Sequence, residues 1–143
     1  MKTSARNYFE GAVLCINHGA VNDEVEIVLD SSNTRMTAII TSNSTKSLGL
    51  EPGKKVIALI KAQWVILVDG LDGIRYSARN QLPGTVVSVK KGVVNAEVNM
   101  RLDGGESMTI GVIESSLNSM GIEAGMRLVA MVKASHVILG VKQ

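Results

Sequence analysis

Short apolar runs separated by polar turns recur along the whole chain, and they recur at a fixed distance. Residues 11–16 and 84–89 are short, apolar and rich in β-branched side chains, as strands are. Residues 24–30 and 97–103 alternate polar and apolar positions, the period of a half-buried strand. Residues 36–40 and 108–113 read as further strands. The period then changes once in each copy. Ser42 or Asn43, and Ser115-Ser116 in the second copy, are placed to cap a short helix that Gly49 or Gly121 ends in the left-handed conformation. A last strand, 56–68 or 128–141, is long and nearly all apolar, interrupted at Lys61 or Lys133. Between the elements, Asn17-His18-Gly19 and Lys90-Lys91-Gly92 form turns expected to use glycine at positive φ. Asp30-Ser31-Ser32-Asn33 and Asp103-Gly104-Gly105 read as hairpin turns.

The recurrence is a duplication. Residues 4–67 align with 77–139 at an offset of 73, which becomes 72 after one extra residue near Arg35, and 26 of 63 aligned pairs are identical. Chance would give only a few, so two repeats of one module are present. Residues 1–68 form the first module, 69–76 a turn-rich linker with Asp69-Gly70 and Asp72-Gly73, and 77–143 the second module. Five strands with one helix before the last predict a mainly β fold: two tandem five-stranded barrels of the OB type, each with one short helix. An SH3-like barrel and a pair of small sandwiches are the alternatives. A module of this size is near the lower limit for folding alone, so contacts between modules and between chains are expected to complete its core.

Composition removes several functions. The chain has 143 residues, 15 basic and 13 acidic side chains, and a net charge of +2, too even for a general polyanion binder. The first 72 residues carry a net −1 and the rest +3, a difference that reads as surface drift. Four aromatic residues give single-stranded nucleic acid little to stack on. One cysteine, Cys15, excludes an internal disulfide and a multi-cysteine zinc site. His18 and His136 stand at non-equivalent repeat positions without an acidic cluster, so no metal-cation site is expected. There is no apolar run of membrane-spanning length, no signal-like N-terminus, no phosphate-binding Gly-Lys loop and no helix-turn-helix pair. The expectation is a cytosolic protein without enzymatic activity that binds neither nucleic acid nor membrane.

Three segments stand out because they recur. Ser4-Ala5-Arg6-Asn7 returns as Ser77-Ala78-Arg79-Asn80, Lys61-Ala62 as Lys133-Ala134 followed by Ser135, and Gly19-Ala20-Val21-Asn22 as Gly92-Val93-Val94-Asn95. Together with Lys-Gly-Val-Val-Asn-Ala-Glu-Val from Lys91 and Val-Lys-Ala-Ser-x-Val-Ile-Leu from Val132, this ordered set resembles the Mop family of molybdate-binding modules. The whole chain, two such modules long, is similar to the di-domain molbindins. The second copy is the closer match. In the first, Gln63 replaces Ser135, Trp64 replaces His136, and His18 replaces Lys91, so weaker sites are expected from copy one.

The resemblance implies OB-type modules, a homotrimer of six modules, and molybdate or tungstate held at interfaces between modules and subunits. It implies oxyanion contacts from Ser4, Ala5, Arg6, Asn7, Lys61 and Ala62, and from Ser77, Ala78, Arg79, Asn80, Lys133, Ala134 and Ser135. The lysine is expected to meet the Ser-Ala-Arg-Asn segment of a neighbouring module. The residue types suit the ligand: a hydroxyl, backbone amides, a guanidinium fork and an ammonium are all donors. A selective site for an unprotonated dianion is expected to have no carboxylate nearby. The turns at Gly19, Ala20, Val21 and Asn22, and at Gly92, Val93, Val94 and Asn95, are a second, weaker site class, where successive backbone N–H groups could form an anion nest. The competing functions are an OB-type nucleic-acid module and a purely structural oligomerisation module.

Overall fold

The computed structural model describes residues 2–143. Its elements run β1 (Asn7–His18), β2 (Asn22–Leu29), β3 (Arg35–Thr41), α1 (Ser42–Ser47), β4 (Lys55–Ile60), β5 (Ile66–Val68), β6 (Asn80–Lys91), β7 (Asn95–Leu102), β8 (Ser107–Ile113), α2 (Glu114–Met120), β9 (Arg127–Val132) and β10 (Ile138–Gly140). Two curled, antiparallel five-stranded sheets, each with one short helix, form the OB-type modules.

The curl begins in the first strand of each repeat. β1 pairs with β4 through its first half and β2 through its second, with a bulge between Val13 and Cys15. β6 repeats this against β9 and β7, with its bulge between Val86 and Ser88. Such a bulge bends the strand and increases its twist. Glycine is required just before it. A Cβ on Gly11 would lie 2.5 Å from the Val28 carbonyl oxygen, and one on Gly84 would lie 2.5 Å from that of Arg101. Gly84→Ala should therefore cost about 1–3 kcal/mol in thermal unfolding, the usual range for overpacking. Gly140→Ala, where a Cβ meets nothing within 4 Å, should leave the melting temperature nearly unchanged.

The alternating strands place Val25, Ile27 and Leu29 in one core and Val98, Met100 and Leu102 in the other, all at most 2% exposed. Gly49 and Gly121 end the helices at positive φ as expected. The caps fall one residue earlier than the sequence suggested in α1 and two earlier in α2. Thr41 caps α1 through its hydroxyl, and α2 begins after Ile113 without a side-chain cap.

Two expectations change. Gly19 and Gly92 are not at positive φ. They are needed because a Cβ would sit 2.4 Å from the carbonyl oxygen of Asn22 or Asn95, so these turns are tight by close approach. The long last strand is not continuous either. At Lys61 the chain leaves the sheet in a 3-10 turn, with Trp64 N–H donating to the Lys61 carbonyl at 3.0 Å. Lys133 does the same, with His136 donating at 2.9 Å.

The short strand after each turn crosses to the other repeat. β5 joins the second repeat's sheet beside β9, and β10 joins the first repeat's sheet beside β4. Val65, Leu67, Val137 and Leu139 are thereby buried in the opposite module. The two turns pack on β8 and β3. Trp64 and His136, equivalent residues of the two repeats, stack with ring centroids 5.2 Å apart, as residues beside a local twofold axis do.

Candidate functional site

The β1–β4 register pairs Asn7 with Ile60, so residues 4–6 and Lys61-Ala62 lie side by side at one end of the first sheet. The lysine therefore lies beside the Ser-Ala-Arg-Asn segment of its own repeat. The neighbouring module supplies the opposite wall. Ser4, Arg6, Lys61 and Ala62 face Lys90, Lys91, Gly92 and Asn95 across a cleft of about 760 Å³. The first-repeat motif and the second-repeat turn, expected as separate site classes, thus share one cavity.

Asn7 and Asn80 do different work from that expected of them. Each is about 2–3% exposed. The Asn7 carboxamide donates to the Thr109 carbonyl at 2.8 Å and accepts the Thr109 N–H at 2.7 Å. Asn80 does the same to Thr37, at 2.9 and 2.8 Å. Each side chain imitates a neighbouring strand and clamps its motif to the other repeat. Both amide ends are engaged, so these residues position the cleft wall.

The arginines are not free of carboxylates, against expectation. Arg6 pairs with Glu97, and Arg79 binds Glu24 with both nitrogens at 2.7 and 2.9 Å. Hydrogen bonding to Arg79 holds the Glu24 carboxyl below its usual range, and Glu24 raises the guanidinium in turn. Each pair links the motif of one repeat to β2 or β7 of the other. These glutamates escaped the sequence reading, although they recur at equivalent positions. The register needed to bring them to the arginines runs between repeats.

The second-repeat motif occupies the equivalent place. Asn80 pairs with Val132, which sets residues 77–79 beside Lys133 and Ala134. Ser135 and the first-repeat turn residue Asn22 line a smaller cleft of about 350 Å³. Ala62 and Ala134 are buried, Ala5 and Ala78 half-buried, and the four serine and lysine positions of the motifs exposed. The tips of the turns point outward: Val21, Val93 and Val94 are 71%, 94% and 67% exposed.

The two turns differ in one residue below them. Asp23, 2% exposed, accepts from the Gly19 N–H at 3.2 Å and the Ser42 hydroxyl at 3.0 Å, and His18 Nδ1 lies 3.3 Å away. The second repeat has Ala96 there. The Thr45 hydroxyl first, then Ser42, the Gly19 amide and His18, outweigh burial and hold the Asp23 carboxyl below its usual value. A depressed carboxyl contributes stability that is complete above its unfolded value, about 3.9, and lost as pH falls through the folded value. Thermal melts should therefore show native stability falling below about pH 4, and Asp23→Asn should remove part of that fall.

Among the described residues, no cluster of His, Cys, Asp or Glu could hold a metal cation, and no helix is long and apolar enough to cross a membrane. What the larger cleft offers is a concentration of donors and cations suited to a small oxyanion.

Known proteins share this architecture. The family model for the TOBE domain matches residues 3–67 and again 76–139. The molybdenum-pterin-binding protein MopA of Rhodobacter capsulatus is 42% identical over 139 residues, 97% of this chain and 52% of that protein. The molybdenum transport protein ModE of Azotobacter vinelandii is 42% identical over 141 residues, 99% of this chain and 52% of that protein. The chain thus spans about half the length of these relatives. A crystal structure of the cytoplasmic molybdate-binding protein ModG, with molybdate bound, superposes with a TM-score of 0.95 at 45% identity, covering 99% of this chain and 100% of that one. With both repeats matched over nearly their whole length, the chain belongs to the TOBE domain family and carries two copies of that domain in tandem.

Proposed function

We propose that this chain is a cytosolic molybdate-binding protein that also accepts tungstate, serves molybdenum storage or homeostasis, and catalyses no reaction. The carrying observation is the cleft where Ser4, Arg6 and Lys61 of one repeat face Lys90, Lys91 and Gly92 of the other. Molybdate is a dianion with four oxygens and no proton at neutral pH, so it needs donors and positive charge on several sides. Arginine meets such an anion with a fork of parallel N–H groups, lysine with a compact charge, and a tight turn with backbone amides. The likeness to the molybdate-bound ModG structure supports the same ligand here. Elemental analysis of the purified protein, followed by calorimetric titration with molybdate, is the test. Saturable uptake is expected, and its absence together with RNA retained at moderate salt would transfer the chain to nucleic-acid binding.

The assembly belongs to the same proposal. Val93 and Val94 stand exposed at the turn tips, where a neighbouring copy could cover them, and six modules in three chains close by symmetry. A homotrimer of about 46 kDa, from chains of 15.2 kDa, is the expected species in analytical ultracentrifugation. A monomer with and without molybdate would refute it.

A further inference from the structure

We propose that Asp23 makes the two repeat-related places unequal, so that the cleft built on Arg6 and Lys61 takes an oxyanion ahead of the equivalent place at Arg79 and Lys133. The inference rests on the molybdate reading above and ranks the sites within it.

The registers of the two repeats match residue for residue at this point. Asn17 lies opposite Glu24 and His18 opposite Asp23 in the first repeat; Lys90 lies opposite Glu97 and Lys91 opposite Ala96 in the second. Each arginine reaches the glutamate of the other repeat. Arg6 and Lys61 therefore work beside Lys90 and Lys91, with Glu97 as the one carboxylate lining their cleft. Arg79 binds Glu24, which the register sets opposite Asn17, with His18 and Asp23 paired next along the same strands, so this side carries two carboxylates and no lysine in its turn. The charge difference between the two halves of the chain is thus not surface drift, since much of it sits at these turns.

Asp23 does more than add charge. Its carboxylate accepts from the Gly19 amide and the Ser42 hydroxyl, donors that an external anion on this turn would use. The chain has supplied an anion of its own, buried and hydrogen-bonded, which an incoming dianion would have to approach at close range. In the second repeat Ala96 offers no acceptor, and the Gly92 amide is left to a ligand. The order is the reverse of the one expected from Gln63 replacing Ser135: the poorer sequence match lines the more positive cleft.

The test is calorimetric titration of molybdate into the full chain, the native protein beside Arg6→Ala, Arg79→Ala and Asp23→Asn. Two affinity classes are expected in the native protein, the tighter removed by Arg6→Ala and the weaker by Arg79→Ala. Asp23→Asn keeps the shape and the hydroxyl contacts, and should tighten the weaker class at least tenfold while moving the tighter class less than twofold. Should Asp23→Asn melt too low to assay, Asn17→Lys with His18→Lys on the exposed turn should tighten the same class. Loss of the tighter class in Arg79→Ala, or a weaker class indifferent to Asp23→Asn, overturns the inference and leaves molybdate binding standing. No uptake by the native chain refutes the molybdate reading and the ranking with it.

Discussion

Arg6→Ala should lower molybdate affinity at the cleft of Arg6 and Lys61 by well over tenfold, and Lys61→Ala by about tenfold. Removing one charged hydrogen-bond partner costs about 1.5–3 kcal/mol, and each 1.4 kcal/mol is tenfold in binding. The two changes are not equal, because Arg6 covers Glu97. Deleting the guanidinium takes away a donor and also turns an uncompensated carboxylate toward the anion. Glu97→Gln should therefore restore part of the affinity of Arg6→Ala and little of that of Lys61→Ala. The double variant Arg6→Ala with Lys61→Ala should lose less than the sum, since both act on one anion. Both side chains are exposed, so the ligand-free melting temperature should barely move. Titration of the set against molybdate, with melts in its absence, decides. Unchanged binding in both single variants would put the site elsewhere in the module.

A chain ending at Ser135 should lose a large part of its stability, and the damage should appear in the other repeat. Truncation removes Val137 and Leu139, both buried in the first repeat's core. Burying such a side chain contributes about 1.5–3 kcal/mol, so the pair accounts for roughly 3–6 kcal/mol. That is a large share of the 5–15 kcal/mol typical of a whole domain. Hydrogen exchange locates the effect. Amides of β4, residues 55–60, should lose protection because β10 is their neighbour, while β9 should retain β5. Lost protection in β9 with β4 intact would mean that each repeat keeps its own last strand.

That contrast marks where the sequence stops being readable. The strands of each repeat, their short helices and the glycines ending them follow from local pattern, because period and turn chemistry act within a few residues. Lys61 and Lys133 stand out as interruptions, but the expected strand runs on through them. Where the strand goes afterwards is hidden for a definite reason. Val65-Ile66-Leu67 and Val137-Ile138-Leu139 are identical, so either triplet fits beside β4 or β9, and the choice lies in the geometry of the 3-10 turn. The candidate site was legible in its residue types and not in its pairings. Asn7 and Asn80 looked like ligand donors because a carboxamide is one. Only the register between repeats shows that Thr109 and Thr37 have taken both ends. Glu24 and Glu97 sit on strands whose period explained them already, so nothing local assigned them to an arginine.

The strand exchange sets a timetable for synthesis. A ribosome delivers roughly 5–20 residues per second, and a domain normally folds once its own segment has emerged. Here β1 to β4 are made long before β10, whose three residues are 138–140. While residues 61–137 are being made, β4 therefore carries an open edge, with unpaired N–H and C=O groups able to recruit another strand. The nascent β5 comes soon after Ile60 and carries the same triplet as β10, so it is the nearest strand able to cover that edge until its proper partner β9 appears.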